Sequence, residues 1–142
     1  MAQLHNTGEE FVLKEAFGSG TGATTVSVGL YNTSDSLLDS DNVSSITTEP
    51  SGSGYSRETV TLDSDFSFQN NGGNWETTMV DCVYDTDDST ENVDGYFVTA
   101  TFNSEEAGGS GEHLLFSGDL DKQYDLDSVT TFTKQGSGIS LD

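Results

Sequence analysis

The chain contains very few basic residues. Only 4 of its 142 residues are Lys or Arg, against 25 Asp and Glu, so its formal net charge is −21. The four cations stand singly, at Lys14, Arg57, Lys122 and Lys134. Binding to nucleic acid requires clustered basic side chains that neutralise phosphates, so this composition excludes a conventional nucleic-acid partner.

Cysteine, proline and long apolar runs are also scarce. A single cysteine, Cys82, excludes an internal disulfide framework, and Pro50 is the only proline. No stretch approaches the roughly 20 apolar residues that span a bilayer. The first residues lack the basic and apolar segments of a secretory signal. We therefore expect no membrane span and a soluble protein made inside the cell.

The acidity of the chain has two interpretations. High net charge with low hydrophobicity is typical of disordered chains, whereas hydrated surface carboxylates are typical of a folded protein adapted to high salt. The eight Phe, five Tyr and one Trp fall at alternating positions in short runs, which favours the folded interpretation. We therefore expect a halophilic source and a stability that increases with salt, because counterions screen the repulsion.

One helix is predicted, near the start of the chain. Thr7 and Glu10 fit a capping box with Thr7 as N-cap. Gly18 is the expected stop, so the helix is predicted to extend to residue 17. A glycine-rich linker follows over residues 18–23. So short a helix is marginal in isolation and must dock on its own sheet or on a neighbouring subunit. Its apolar face supplies the candidate assembly contacts Val12, Leu13 and Phe17.

The remainder of the chain has the period of two that predicts strands. We expect them at residues 26–31, 55–62, 65–69, 75–84, 95–102, 114–120, 124–126, 128–133 and 139–141, with a loop over residues 32–54. Many short strands joined by Gly- or Asp-rich turns predict one mainly β domain over residues 1–142. Its expected architecture is an antiparallel β-sandwich or jelly-roll-like barrel.

Alternation within these strands also predicts the core. One face is expected to bury Val26, Val28, Leu30, Phe66, Phe68, Val80, Tyr96, Val98, Ala100, Phe102, Phe116 and either Leu114 or Leu115. Phe97 is expected on the opposite face of its strand. Trp75 stands beside a Gly-rich turn, and we take it as a further assembly contact because tryptophan is enriched at interfaces.

Residues for catalysis are sparse. His5 is expected near a mobile end of the chain, and His113 at a junction between loop and strand. Cys82 lies among β-favouring residues, where a free thiol usually packs as a small half-buried hydrophobe rather than acting as a nucleophile. We expect neither an enzyme nor a bound cofactor.

The acidic segment 85–91 begins like a calcium-binding loop, with oxygen ligands at alternate positions. It lacks the central glycine, and Tyr96 stands where a closing glutamate is needed. A solvated loop with loosely bound, exchangeable cations is therefore favoured over a metal site. The weak metal candidates are Asp85, Asp87, Asp88 and Glu91. Asn32 and Asn42 begin glycosylation sequons, which carry little weight in a chain so rich in Asn, Ser and Thr.

The motif Gly54-Tyr55-Ser56-Arg57 follows the long loop. Gly54 is expected to adopt a positive φ at the turn into the next strand. Tyr55 can anchor its ring at the sheet edge, and Arg57 can bind carboxylates or carbonyls in bidentate fashion. We interpret Gly54, Tyr55 and Arg57 as a structural brace.

Several short motifs succeed one another along the chain. They are an amphipathic helix at residues 9–17, Val26-Ser27-Val28-Gly29-Leu30-Tyr31-Asn32, Gly54-Tyr55-Ser56-Arg57, Leu114-Leu115-Phe116-Ser117-Gly118-Asp119-Leu120 and Gly138-Ile139-Ser140-Leu141. Their order and spacing resemble those of small capsid-decorating, turret or tail proteins of tailed viruses and proviruses. The acidic stretch 85–94 and the glycines at 108–111 depart from that pattern.

Together with the acidity, this resemblance implies a non-enzymatic structural protein of a halophilic archaeal virus. It implies a surface-exposed protein on the virion, made in the host cytoplasm, that forms a symmetric homo-oligomer on the head. Its expected partners are itself and other virion proteins such as the major capsid protein. One alternative is a tail or receptor-contacting component. The other, from a different class, is a soluble carbohydrate- or cation-binding β module.

Overall fold

The computed structural model describes residues 3–8, 23, 25–61, 64–71, 74–102, 111–136 and 138–141. Within these ranges the chain is mainly β, as its alternating pattern predicted. The strands are β1 (Gln3–Leu4), β2 (Thr25–Tyr31), β3 (Glu58–Val60), β4 (Phe66–Asn71), β5 (Asn74–Met79), β6 (Cys82–Asp85), β7 (Asn92–Phe102), β8 (Gly111–Asp125), β9 (Thr131–Lys134) and β10 (Gly138–Leu141). Short 3-10 turns occupy Thr33–Asp35, Val43–Ser45 and Leu126–Ser128.

The strands form three antiparallel sheets. The central sheet has the order β1-β8-β7-β2-β3, the hairpin sheet has the order β10-β5-β4, and the ribbon pairs β6 with β9. Side chains of the hairpin sheet and the ribbon pack against one face of the central sheet. This arrangement confirms the predicted antiparallel, sandwich-like fold class.

The main core lies between the central sheet and the other two. The central sheet contributes alternating residues of β2 and β7, as the sequence pattern predicted, and Phe66 of β4 packs against them. The side chains of Phe68 and Phe102, also predicted in the core, lie outside the described residues. The buried set comprises Val26, Val28, Leu30, Val60, Met79, Cys82, Tyr84, Val93, Tyr96, Val98, Ala100, Leu115, Phe116, Leu126 and Phe132.

A second, smaller core lies on the opposite face of the central sheet. Phe97 is fully buried there with Tyr31 and Leu114, on the face predicted for it. The long loop between β2 and β3 covers this cluster with Leu37, Val43 and Ile46. The loop that the sequence predicted over residues 32–54 is therefore a packed layer of the fold.

A β-bulge decides how Leu114 and Leu115 are placed. Val98 pairs with Phe116, but Thr99 pairs with Leu114, so Leu115 is an extra residue on β8. The insertion reverses the alternation of the strand. Leu115 and Phe116 therefore both face the main core, while Leu114 faces the second one.

The single strand predicted over residues 75–84 is two strands. Met79 ends β5 in the hairpin sheet, and Cys82 begins β6 in the ribbon. Between them the amide of Val80 donates to the Asp65 carbonyl at 2.9 Å, and the Val80 side chain is 44% exposed. The prediction of Val80 in the core is wrong, because the chain changes sheets at this residue and the alternation restarts.

Asp35 fastens the loop between β2 and β3, residues 32–57, which we call the covering loop. Its carboxylate accepts hydrogen bonds from the amides of Thr47 and Thr48 at 2.9 and 3.1 Å and from their hydroxyls at 2.6 and 2.7 Å. Burial opposes ionisation of this group, but the four hydrogen bonds outweigh it and lower the pKa of Asp35.

A carboxyl whose pKa is lower when folded adds stability at neutral pH, and this stability is lost as the pH falls through the folded pKa. Asp35→Asn should therefore be about 1 kcal/mol less stable than the parent at neutral pH, a value kept small because the site is partly exposed. The difference should shrink below about pH 4. Urea unfolding of both proteins across this pH range measures it, and a difference independent of pH would contradict the assignment.

Candidate functional site

The candidate metal ligands do not converge. Asp85 accepts a hydrogen bond from the amide of Asp87, and Asp88 accepts one from the Ser53 hydroxyl at 2.8 Å. Glu91 accepts from both the amide and the hydroxyl of Ser51. Across the part of the chain that the structure describes, no group of three or more His, Cys, Asp or Glu could hold a metal ion. Asp88 and Glu91 thus join the segments 51–54 and 85–91, while the hydrogen bond of Asp85 is local.

The sequon asparagines both cap short turns. Asn32 accepts from the amide of Ser34, and its side-chain amide donates to the Asn92 carbonyl at 3.0 Å. Asn42 accepts from both the amide and the hydroxyl of Ser44. Each side chain therefore has a local role as the N-cap of a 3-10 turn.

Gly54 does not have the positive φ predicted for it. Among the described glycines that conformation occurs at Gly111, whose φ is 135°. A Cβ placed on Gly54 would instead lie 2.7 Å from the Asp85 carboxylate. A side chain at this position would have to displace the exposed carboxylate of Asp85, a contact between distant segments that local turn patterns do not reveal.

Tyr55 lies at the edge of the central sheet and extends its hydrogen bonding. Its hydroxyl accepts from the amide of Leu30 at 2.9 Å and donates to Glu49 at 3.1 Å. Its ring stacks on Tyr84, with centroids 5.9 Å apart. Because β3 begins only at Glu58, this hydroxyl satisfies a β2 amide that the strand does not reach.

Arg57 joins the covering loop to β8. Its Nε and Nη2 donate to the two carboxylate oxygens of Glu49, each at 2.7 Å, and Nη1 donates to Glu112. Its guanidinium carbon lies 4.8 Å from the ring centroid of Phe97. The hydrogen bonds that Arg57 donates to Glu49, and after them its hydrogen bond to Glu112, raise the pKa of Arg57 despite its partial burial. Arg57 therefore stays charged and holds two carboxylates together.

The N-terminal arm, residues 3–8, is built into the central sheet. Gln3 and Leu4 pair with Ser117 and Phe116 of β8. The amide of His5 continues the pairing by donating to the Leu115 carbonyl at 2.8 Å.

His5 is fully buried in this arm. Its Nδ1 donates to the Leu38 carbonyl oxygen at 3.0 Å, because a carbonyl can only accept, and its Nε2 lies 3.1 Å from the Ser117 hydroxyl oxygen. The expectation of a mobile end at His5 is wrong, because His5 is buried and its amide pairs with β8. The sequence pattern does not reveal this pairing.

The predicted assembly contacts lie largely beyond what the structure describes. Helical residues begin at Asn6, one residue before the predicted N-cap Thr7, whose hydroxyl donates to the Leu114 carbonyl. Val12, Leu13 and Phe17 lie outside the described residues. Trp75 belongs to β5, and its side chain is likewise outside them.

Cys82 lies in β6, as expected of a strand thiol, and is more deeply buried than predicted, with 3% of its surface exposed. Burial raises the pKa of its thiol despite the nearby charge of Lys134. Because the thiolate is the reactive form, this environment disfavours a nucleophilic role.

A wide bulge in β8 opens a cavity that the sequence did not predict. Val93 pairs with Tyr124 and Gly95 pairs with Asp119, so one residue of β7 stands opposite four residues of β8, 120–123. We call residues 120–123 the bulge segment. It leaves the β7 ladder and walls a cavity of about 400 Å³. The cavity is lined by Tyr96, Asp119, Leu120, Asp121, Tyr124, Phe132, Thr133, Lys134 and Gln135.

Three aromatic rings and charges of both signs line this cavity. The rings of Tyr124 and Phe132 meet edge to face with centroids 4.8 Å apart, and the Tyr124 hydroxyl donates to Asp121 at 2.6 Å. Asp119 and Asp121 are exposed at its rim.

Lys134 forms part of the cavity wall, although only 3% of its surface is exposed. Its Nζ donates to the Gln135 carbonyl at 2.9 Å and lies 4.1 Å from the ring centroid of Tyr96. Burial lowers the pKa of Lys134, against the opposing effects of Cys82 and Asp81.

The predicted strands did give one indication of the bulge segment. The predicted strands 114–120 and 124–126 left a gap at residues 121–123, and β8 departs from β7 over nearly the same residues. The contribution of β9 was not foreseeable in the same way, because it depends on pairing between β6 and β9.

Comparisons with known proteins assign no family. No family model matches the chain, and searches of curated proteins and of solved structures also return no match. Among the described residues, no helix has the length and apolar character needed to cross a membrane.

Proposed function

We propose that this chain is a non-enzymatic structural protein of a halophilic tailed virus, which assembles with copies of itself as a symmetric oligomer on the head. The order of sequence motifs supports a virion protein, and the net charge of −21 supports function in high salt. The observation that carries the proposal is the N-terminal arm, which forms an edge strand that a neighbouring copy could equally supply.

The arm is adjacent in sequence to β2 but not adjacent in the sheet. β8 and β7 lie between β1 and β2, so the two strands are roughly 14 Å apart at the usual strand spacing. With residues 9–17 helical and residues 18–22 extended, the segment 9–22 that joins the arm to Ala23 spans about 30 Å. That reach allows the arm to pair with its own β8 or with that of a second copy without changing a contact of β1. Exchange of such an element is a common route to oligomers.

Charge sets the conditions for assembly. Subunits that each carry −21 repel one another in dilute buffer, where the Debye length is about 30 Å at 0.01 M salt. At 1 M salt it falls to about 3 Å, so that only adjacent carboxylates still conflict. Apolar contacts survive this screening, which favours Val12, Leu13 and Phe17 as the residues that join subunits.

An experiment on assembly must leave the N-terminal arm, residues 3–8, intact. Deletion of residues 1–17 would also remove β1 and the buried His5, so it would confound folding with assembly. The double variant Leu13→Ser/Phe17→Ser keeps residues 3–8 intact. We expect the parent to sediment as an oligomer in molar KCl and as a monomer in dilute buffer. We expect the variant to be monomeric in both, with the melting temperature of the dissociated parent.

Leu38→Ser is the matched control, since it makes the same change at a leucine that is 64% exposed on the covering loop. It should assemble like the parent. A double variant that assembled normally would exclude this helix as the contact. A parent that remained monomeric in molar KCl would contradict the proposed oligomer itself.

A further inference from the structure

We propose that the cavity beside the bulge segment binds a neutral saccharide. The cavity lies within one copy of the chain, between β7, β8 and β9, so this inference does not depend on the proposed assembly. Its volume of about 400 Å³ falls within the usual range for small-molecule sites.

The bulge segment indicates a formed site. β8 has four residues where β7 has one, and pairing resumes at Tyr124 with the register shifted by three residues. Bulges that interrupt a ladder in this way commonly redirect side chains beside functional sites. Here the bulge segment, which has no partner on β7, places Leu120 and Asp121 on the cavity wall.

Charge in the lining argues against an ionic ligand. Asp119 and Asp121 repel anions, as does the net charge of the whole chain. The two carboxylates would attract an organic cation, but such a cation would also be repelled by the ammonium groups of two lysines beside the rings. Lys134 lies over Tyr96, and the Nζ of Lys122 lies 5.0 Å from the ring centroid of Tyr124.

A neutral polyhydroxyl ligand matches the polar groups and aromatic rings that line the cavity. Its hydroxyl groups can donate to the carboxylates of Asp119 and Asp121 and accept from the side-chain amide of Gln135, while its C–H groups pack on the rings. Tyr124 is the most exposed of the three rings and is the principal apolar surface available. Binding of this kind depends little on long-range charge, so it persists at molar salt.

The test measures binding by isothermal titration calorimetry in molar KCl. The probes are the methyl glycosides of glucose, galactose, mannose and N-acetylglucosamine, with tetramethylammonium and sulfate as ionic comparators. We expect at least one glycoside to bind and neither ion to do so. Asp121→Ala and Tyr124→Leu should each weaken this binding about tenfold or more. Tyr124→Leu keeps an apolar side chain against the core.

Asp127→Ala is the matched control, because it removes an exposed carboxylate just beyond β8 and outside the cavity. It should bind the glycoside like the parent. Binding of none of the four glycosides would overturn the proposal. So would glycoside affinity unchanged in both cavity variants, or binding of tetramethylammonium alone.

Discussion

Phe97→Ala is expected to lower the free energy of unfolding by about 3–5 kcal/mol, a large share of the stability of a typical domain. The ring of Phe97 has no exposed surface. It meets Tyr31 edge to face with centroids 6.2 Å apart and lies beneath the guanidinium of Arg57. Truncation therefore removes a ring on which both the sheet and its covering loop pack. Urea unfolding in molar KCl measures the change.

Gly29 provides a more specific test of how the Phe97 ring packs. A Cβ on Gly29 would overlap the buried ring of Phe97, so Gly29→Ala alone must displace the ring. In the Phe97→Ala background that clash is absent, and the second substitution should cost much less than in the parent. Val83→Ala is the control, since that side chain is mostly solvent-exposed and should change stability by less than about 0.5 kcal/mol. Additive effects of Gly29→Ala and Phe97→Ala would contradict this packing.

Arg57→Met is expected to cost about 2–4 kcal/mol. It retains an apolar stem but leaves Glu49 and Glu112 close together without their shared cation. The loss should be somewhat below that of a fully buried pair, because the Glu49 and Glu112 side chains are 22% and 37% exposed. The stability of Arg57→Lys should fall between that of the parent and that of Arg57→Met. Its ammonium keeps the positive charge but cannot reproduce the bidentate geometry.

Two comparisons separate this effect from a general loss of positive charge. Lys122→Met removes a cation from an exposed position and should change stability by less than about 0.5 kcal/mol. Adding Glu49→Gln to Arg57→Met should recover part of the loss by relieving repulsion between the carboxylates. The measurement is the free energy of unfolding of the parent and the four variants in molar KCl. Equal stability of Arg57→Met and the parent would contradict the role of Arg57 as a brace.

Local alternation accounts for the strands that were predicted correctly. In β2 and β7 each side chain points to the face opposite its neighbour, so the order of apolar residues assigns Val28 and Val98 to one core and Phe97 to the other. The prediction failed where alternation is interrupted. Val80 lies where the chain moves from one sheet to another. The alternation left Leu114 and Leu115 as alternatives for the core, and a bulge decides in favour of Leu115.

The brace and the cavity show a second limit. The chemistry of Arg57 indicated that it would bind carboxylates, but the partners Glu49 and Glu112 are 8 and 55 positions away. Asp121 and Lys134 form one cavity only because β8 bulges while β9 pairs with β6. No local pattern indicates which distant segments meet.

Composition and the order of residues by themselves determined the acidity, the β class, the strand faces of the core and the long loop, since each depends on side-chain chemistry or on neighbours a few positions apart. Only the tertiary structure decided that residues 3–8 close the sheet edge, that Gly54 lies against the Asp85 carboxylate, and that the bulge segment opens a cavity. Each of these depends on close approach between residues far apart in sequence, which packing and strand register set.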